Sequence, residues 1–132
     1  MKTFVLIPTI KCGEIEFLSN RARVRSLLGT YKTFLKSNTS ENTTDDFGYC
    51  HAYYDSSNRI IAIEFFPEAN LQYNEITLFL LTAKELTKLL ESNDRDIQAD
   101  NYSVLSRKLG ICAEIDDDEI KSILVCTADY YD

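Results

Sequence analysis

The feature that most constrains this fold is a pattern that occurs twice, about sixty residues apart. A short helical pattern with Val24, Leu27 and Leu28 on one face is followed sixty-two residues later by Leu86, Leu89 and Leu90. Other positions match in the same way: Phe17 with Phe79, Gly48 with Gly110, Cys50 with Cys112, Ile60 with Ile120, Ile63 with Ile123 and Phe65 with Val125. Two copies are too few, and the unit too long, for a solenoid. We therefore predict a single domain, residues 1–132, built from duplicated β-α-β-β units at 14–68 and 75–132 that are related by pseudo-two-fold symmetry.

Local patterns give each copy a similar order of elements. Apolar runs and alternation predict strands over 2–9, 14–18, 48–55, 59–66, 75–81, 111–115 and 120–127. One helix should begin near Ser19 or Asn20 and end at Gly29, and a second should begin at Thr82, where Glu85 completes a capping box. The polar residues 37–47 indicate a loop, and the type of 31–36 and 103–109 stays open. The expected fold class is α+β, with mainly antiparallel sheets covered by two helices.

Composition favours an ordinary folded domain without a metal or another cofactor. The 132 residues are 45% hydrophobic and 27% charged, which is typical of globular proteins. The four cysteines lack a C-x-x-C spacing, and His51 is the only histidine, so zinc binding is not expected. The apolar start is interrupted at Pro8, and no apolar run reaches the ~18 residues that span a bilayer. We expect a cytoplasmic protein with reduced thiols.

Charge is unevenly distributed along the chain. The net charge is −7, but residues 1–36 carry +5 and residues 37–132 carry −12. An acidic chain is repelled by phosphate backbones, which argues against general binding to nucleic acids or anionic membranes. Within the proposed repeats, residues 14–68 carry −2 and residues 75–132 carry −7. A basic protein is therefore the expected partner, and it should chiefly meet the second repeat.

Acidic residues near tyrosines are the candidate partner-binding residues. They are Asp116, Asp117, Asp118 and Glu119 in a predicted hairpin turn, Asp45 and Asp46 in the long loop, and Asp129, Tyr130 and Tyr131 near the C-terminus. Tyrosine is enriched at protein interfaces, so an acidic surface with tyrosines suits recognition of a basic protein. The alternatives are a solvated hairpin tip, a flexible loop and a frayed tail. Calcium binding is less favoured, because four adjacent acids lack the alternation and the glycine of a calcium loop.

No motif predicts catalysis. Glu64 and His51 lie in paired strands and could act as acid and base only within hydrogen-bond reach, but alternation favours a surface or structural role for Glu64. Arg21 and Arg25 share one side of the first helix, and Arg23 lies across from them. They could form a phosphate or acidic-peptide site, but a solvated face that reaches nearby carboxylates such as Glu14 or Glu16 is the favoured interpretation.

The small size, the acidity, the lack of catalytic motifs and the acidic, tyrosine-rich surface together resemble bacterial immunity proteins of contact-dependent growth inhibition and polymorphic toxin systems. This resemblance implies binding to a cognate toxin domain, often a basic nuclease, whose active or substrate-binding surface would be occluded by the acidic residues named above. Two alternatives remain open. One is a small-ligand or regulatory module that uses a cleft between the two repeats, and the other is an enzyme that uses Glu64 and His51.

Overall fold

The computed structural model describes residues 2–132, which form two sheets and two α-helices. The strands are β1 (Thr3–Ile7), β2 (Lys11–Cys12), β3 (Ile15–Glu16), β4 (Lys32–Phe34), β5 (Thr44–Asp46), β6 (Cys50–Tyr54), β7 (Ile60–Phe65), β8 (Asn70–Tyr73), β9 (Ile76–Thr77), β10 (Gln98–Ala99), β11 (Ser103–Ser106), β12 (Ile111–Asp116) and β13 (Glu119–Cys126). The helices are α1 (Arg21–Leu28) and α2 (Ala83–Glu91), and a 3-10 helix spans Leu78–Leu80. The predicted class, α+β with mainly antiparallel sheets and two helices, is confirmed. No helix within 2–132 combines the length and apolar character needed to cross a bilayer.

The larger sheet is symmetric about its centre. Its eight strands run in the order β10-β11-β12-β13-β7-β6-β5-β4, with every neighbouring pair antiparallel. The first half of the sheet is β4 to β7 and the second half is β10 to β13. Outward from the central β7–β13 pair, the four strands of each half follow in reverse chain order. The hairpins β6–β7 and β12–β13 also share an irregularity of register at corresponding places. This arrangement is what a duplication would produce, although the duplication itself stays a prediction.

The strand register corrects the sequence alignment of the two halves by one residue. Cys50 pairs with Phe65, and Ile111 pairs with Val125, so Cys50 corresponds to Ile111 and not to Cys112. Burial agrees, because Cys50 and Ile111 are both fully buried whereas Cys112 is half-buried. Side chains alternate between the two faces of a strand, so a shift of one residue exchanges the core face for the outer face.

One core lies between the larger sheet, the helices and a five-stranded sheet of order β3-β2-β1-β8-β9, in which β1 and β8 are parallel. Val24 and Leu86, the first members of the two predicted helical triads, are fully buried in it. Asn20 caps α1 by accepting from the Arg23 N–H, and the predicted capping box of Thr82 and Glu85 opens α2. The apolar periodicity therefore identified the helix faces correctly.

Several elements differ from the sequence prediction. The uncertain segments 31–36 and 103–109 contain β4 and β11, and the predicted loop 37–47 contains β5. The predicted strand 75–81 is reduced to the two residues of β9, and the 3-10 helix that follows leaves Leu80 83% exposed. Strand β8 was not predicted. These short strands form because a neighbouring strand supplies their backbone hydrogen-bond partners, a condition that local sequence does not record.

Candidate protein-binding surface

The acidic tip, residues Asp116, Asp117, Asp118 and Glu119, closes the β12–β13 hairpin. Asp116 pairs with Glu119, and the two residues between them have positive φ, 52° at Asp117 and 60° at Asp118. A two-residue hairpin turn of this kind needs φ > 0 at both central positions, and Asp tolerates that conformation better than most residues. The turn is therefore shorter than predicted, because Asp116 and Glu119 already belong to the strands.

The tip is attached to the N-terminus of α2. The Asp118 carbonyl accepts a hydrogen bond from the Ala83 N–H at 3.1 Å, and its carboxylate Oδ1 accepts one from the Lys84 N–H at 3.3 Å. The first N–H groups of a helix have no partner within the helix, and a negative charge is favourable beside them. Asp118 therefore has a structural role, whereas the other three carboxylates of the tip accept no hydrogen bond from α2.

The remaining tip carboxylates repel one another. Asp116 and Glu119 are directly opposite across the ladder, and like charges in that position destabilise a sheet. The Lys121 Nζ lies 2.8 Å from the Glu119 carboxylate, and their hydrogen bond lowers the pKa of Glu119 and raises that of Lys121. Since the neighbouring Ile115 is buried on the helix-covered face, Asp116 and Glu119 point to the outer face. Folding alone does not require this concentration of charge.

A cavity of about 650 Å³ lies between α2 and the tip. We call it the acidic groove. Its lining residues are Ala83, Lys84, Thr87, Lys88, Glu91, Asp100, Asn101, Ile115, Asp117 and Asp118. Four of these are acidic and two are basic, so the groove carries a net negative charge. Apolar and small side chains of α2 and β12 contribute the rest of its wall.

The loop before β11 forms another side of the groove. The Asp100 Oδ1 accepts hydrogen bonds from the Tyr102 and Ser103 N–H groups at 2.8 and 2.9 Å, which fixes this carboxylate at the rim. The Tyr102 carbonyl accepts from the Ile115 N–H, so this loop is attached to β12. The Tyr102 side chain is nevertheless 76% exposed. Tyrosine is enriched among the residues that contribute most to protein binding, so this exposed ring is a candidate contact.

The other predicted binding residues are divided between the outer face and the interior. Asp46 is half-buried on the outer face, where its Oδ1 accepts from the Gly48 N–H and lies 3.4 Å from the His51 Nε2. Tyr130 and Tyr131 are half-buried against the outer-face cluster around Tyr53, Ala62 and Cys126, and Asp129 is exposed. The C-terminal residues therefore cover part of the sheet and are not a frayed tail.

The structure corrects the prediction that Asp45 binds a partner, because this residue is fully buried. Its carboxylate is held by Arg21 Nη2 at 2.8 Å, by Arg25 Nε at 2.7 Å and by the Tyr54 hydroxyl at 2.9 Å. Burial by itself would raise the pKa of Asp45, but the hydrogen bonds from Arg25, Arg21 and Tyr54 hold it well below its usual range. We call these four residues the arginine cluster.

The arginine cluster also corrects the prediction of a solvated arginine face for Arg21 and Arg25, which reach Asp45 and not Glu14 or Glu16, whereas Arg23 is exposed as predicted. Arg21 is 8% exposed, and its guanidinium lies 4.3 Å from the centre of the Tyr54 ring. Arg25 lies over the Tyr31 ring at 4.1 Å. A signal was available in the sequence, because positions 21 and 25 share a helix side with the apolar Val24 and Leu28, which pointed inward. Their partner Asp45 could not be identified without the strand pairing.

Glu64 and His51 are cross-strand partners on the outer face. Glu64 accepts a hydrogen bond from the Tyr53 hydroxyl at 2.6 Å, whereas His51 packs edge-on against the rings of Phe34 and Phe66. Within residues 2–132 no hydrogen bond joins Glu64 to His51, and no group of three or more His, Cys, Asp or Glu residues is arranged to hold a metal ion.

Comparison with known proteins adds no relative: no protein-family model matches the chain, and neither the curated proteins nor the solved structures contain a significant match.

Proposed function

We propose that this protein is an immunity-type inhibitor, which binds a cognate basic toxin domain through the acidic tip and the acidic groove and thereby occludes the toxin's active or substrate-binding surface. The observation that carries the proposal is the tip itself, where Asp116 and Glu119 oppose each other across the ladder and only Glu119 is offset, by an exposed ion pair with Lys121. Because these two carboxylates repel each other, the surface that they form is suited to a positively charged partner.

The charge of the second half supports the same interpretation. Residues 75–132 carry six Lys and Arg side chains against thirteen Asp and Glu, a net charge of −7. In the first half, Asp45 is already neutralised inside the arginine cluster and contributes little to the outside field. Complementary charge across an interface speeds association and disfavours wrong partners. A basic nuclease domain would therefore be attracted chiefly to the second half.

Apolar and aromatic side chains near the tip would supply contact area. Tyr102 is 76% exposed beside the groove, and Leu80, two residues before the N-cap of α2, is 83% exposed. Carboxylates of the tip would occupy the positions that phosphates of a nucleic acid take on the toxin, so substrate and inhibitor would exclude each other. We also place the protein in the cytoplasm, where such an inhibitor meets an imported or newly made toxin.

A ligand cleft between the two halves has less support. The halves are joined by the β7–β13 ladder, and the side chains of Ile63, Phe65, Ile123 and Val125 fill its helix-covered face with no exposed area. A cavity of about 210 Å³ on the outer face touches both halves, through Ile61 and Tyr130, but most of its lining belongs to residues 36–55. We therefore place the candidate site in the second half.

The proposal predicts that a basic toxin domain is encoded immediately upstream of this gene, and the test uses that domain. Asp116→Lys together with Glu119→Lys reverses two exposed strand positions and leaves Asp118 and the positive-φ turn intact. We expect the association rate at low salt to fall by about tenfold or more and its dependence on salt to become weaker, because electrostatic steering is lost. Stopped-flow association at several salt concentrations measures both quantities.

The matched control is Glu14→Lys together with Glu41→Lys, which makes the same change in net charge at two exposed acids of the first half. We expect its association rate to stay within about threefold of the native value. Equal effects of the two double variants would show that total charge alone matters and would contradict the proposed site. An upstream gene without a basic C-terminal domain would contradict the proposed function itself.

A further inference from the structure

The two halves place the same elements around α1 and α2, so their residues can be compared position by position. Asn20 and Thr82 are both N-caps, which makes Arg21 and Ala83 the first helical residues. Asp45 pairs with Ala52, and Val104 pairs in the same way with Ala113. In the second half, Ala83 therefore corresponds to Arg21, Thr87 to Arg25, Val104 to Asp45 and Ile115 to Tyr54.

The arginine cluster thus has no counterpart among the side chains of the second half. Ala83, Thr87 and Ile115, which stand in for two arginines and a tyrosine, instead line the acidic groove. In the first half, the space between the helix and the hairpin is filled by two guanidinium groups. In the second half, the matching space is open, and its rim carries carboxylates that the first half lacks there.

We propose that the acidic groove receives an arginine side chain of the partner, in the place that corresponds to Arg21 and Arg25 of the first half. This inference rests on the proposed function, since it names the group of the toxin that the groove would bind. The first half shows that the space between a helix and a hairpin of this frame accommodates a guanidinium group when a carboxylate and an aromatic or apolar wall are present.

The side chains that line the groove suit an arginine side chain. The small or apolar side chains of Ala83, Thr87 and Ile115 can pack against the aliphatic stem and planar head of an arginine. The Asp117 carboxylate and the Asp100 Oδ2 accept no hydrogen bond from residues 2–132, so both remain able to accept from a guanidinium. Lys84 and Lys88 at the rim reduce the negative charge, which makes the groove less suited to a small multivalent cation than to a single organic one.

The experiment needs no partner. N-acetyl-arginine methylamide is titrated into the labelled protein and followed by the amide resonances of Thr87, Asn101 and Ile115, with the neutral isostere N-acetyl-citrulline methylamide as the matched probe. We expect saturable shifts with a Kd of about 1–10 mM for the arginine probe and at least about tenfold weaker binding for the citrulline probe. Equal binding of both probes, or shifts at none of these residues, would overturn the inference.

Two pairs of variants locate the binding. Thr87→Arg restores the arginine that the first half has at this position and should fill the groove, whereas Thr87→Val keeps its size. Asp117→Asn removes one rim charge at a positive φ that Asn tolerates, and Asp96→Asn removes an exposed charge outside the groove. We expect the first member of each pair to weaken arginine binding about tenfold or more, and the second to change it less than about twofold.

An arginine probe that binds Thr87→Arg as tightly as the native protein would place the site elsewhere and overturn the inference. The proposed function is tested separately with the toxin domain. If Thr87→Arg leaves toxin affinity unchanged while Asp116→Lys with Glu119→Lys lowers it, the inhibitor function stands and the arginine guest is excluded. A probe that binds to a protein without affinity for any basic toxin domain overturns the proposed function instead.

Discussion

The arginine cluster and the acidic groove occupy corresponding places in the two halves, yet one is closed and the other open. In the first half, Asp45 is fully buried between the nearly buried Arg21 and the partly exposed Arg25. In the second half, small and apolar residues take those positions and the charges stand at the rim. The same backbone arrangement therefore either holds a buried ion cluster or leaves an exposed groove. The difference depends on the side chains at the four positions of the arginine cluster.

The closed half illustrates how a buried ion cluster depends on all its members. Removing charges from water is unfavourable, and mutual attraction offsets this only when the hydrogen bonds are complete. Here the Asp45 carboxylate accepts from Arg21, Arg25, Thr33 and Tyr54, and no buried polar side-chain atom within residues 2–132 lacks a partner. The cluster therefore fixes β5 and the long loop against α1, whereas the polar restraints on the second half are the hydrogen bonds of Asp118 to the N-terminus of α2 and a buried hydrogen bond from Ser106 to Asp94.

The largest effect should come from Asp45→Asn, which leaves two guanidinium groups without their counter-charge. Loss of one partner from a buried ion pair typically lowers the free energy of unfolding by about 3–5 kcal/mol. Urea denaturation monitored by circular dichroism measures the loss. Asp46→Asn, the neighbouring and half-exposed acid, is the control and should change stability by less than about 1 kcal/mol. Equal stabilities of the two variants would show that the cluster does not hold the first half together.

Acid should weaken the native protein through the same residue. The pKa of Asp45 is lower in the folded chain than in the unfolded chain, so its contribution is fully present above the unfolded pKa near 4 and is lost as pH falls below it toward the folded pKa. We expect the free energy of unfolding to drop by about 1 kcal/mol between pH 6 and pH 3 through this residue. Asp45→Asn should show a flatter profile, and parallel profiles would contradict the assignment.

Replacing the arginine cluster by the residues of the second half should lower stability less than removing the Asp45 charge alone. Arg21→Ala, Arg25→Thr, Asp45→Val and Tyr54→Ile together copy the residues of the second half and leave neither an uncompensated charge nor the buried Tyr54 hydroxyl without a partner. Replacing a whole buried ion cluster by apolar residues is often neutral, so we expect a loss below about 1.5 kcal/mol, smaller than for Asp45→Asn alone. Urea denaturation of both variants side by side checks this order. A quadruple variant less stable than Asp45→Asn would contradict the correspondence between the halves.

The smallest effect should be a gain. Asp116→Lys replaces the repulsion with Glu119 by an attraction across the ladder, and we expect the Tm to rise by up to about 3 °C. Asp96→Lys, an exposed acid of the same half outside the strands, serves as the control and should leave the Tm nearly unchanged. A fall in Tm for Asp116→Lys would mean that the carboxylate has a structural role, and the tip would lose its value as an indicator of function.

The sequence by itself determined the two helices and the long strands, but not the order of elements in each half, because four strands of the larger sheet and not two follow each helix. Periodicity of 3.6 residues identified the buried faces of α1 and α2, and Thr82 with Glu85 marked a helix start, because capping and amphipathicity are properties of neighbouring residues. The acidic run at 116–119 was also correctly predicted to close a hairpin. These features depend on contacts within a few residues along the chain.

Only the tertiary structure decided which charges are buried and which are available. Asp45 and Asp46 are adjacent and chemically identical, but β5 pairs with β6 so that Asp45 turns toward Arg21 and Asp46 toward the outer face. The one-residue shift in the alignment of the two halves likewise depends on residues distant in sequence. The same holds for the attachment of Asp118 to α2 and for the acidic groove. Strand pairing sets the direction of every second side chain, and that pairing is not encoded in any local stretch.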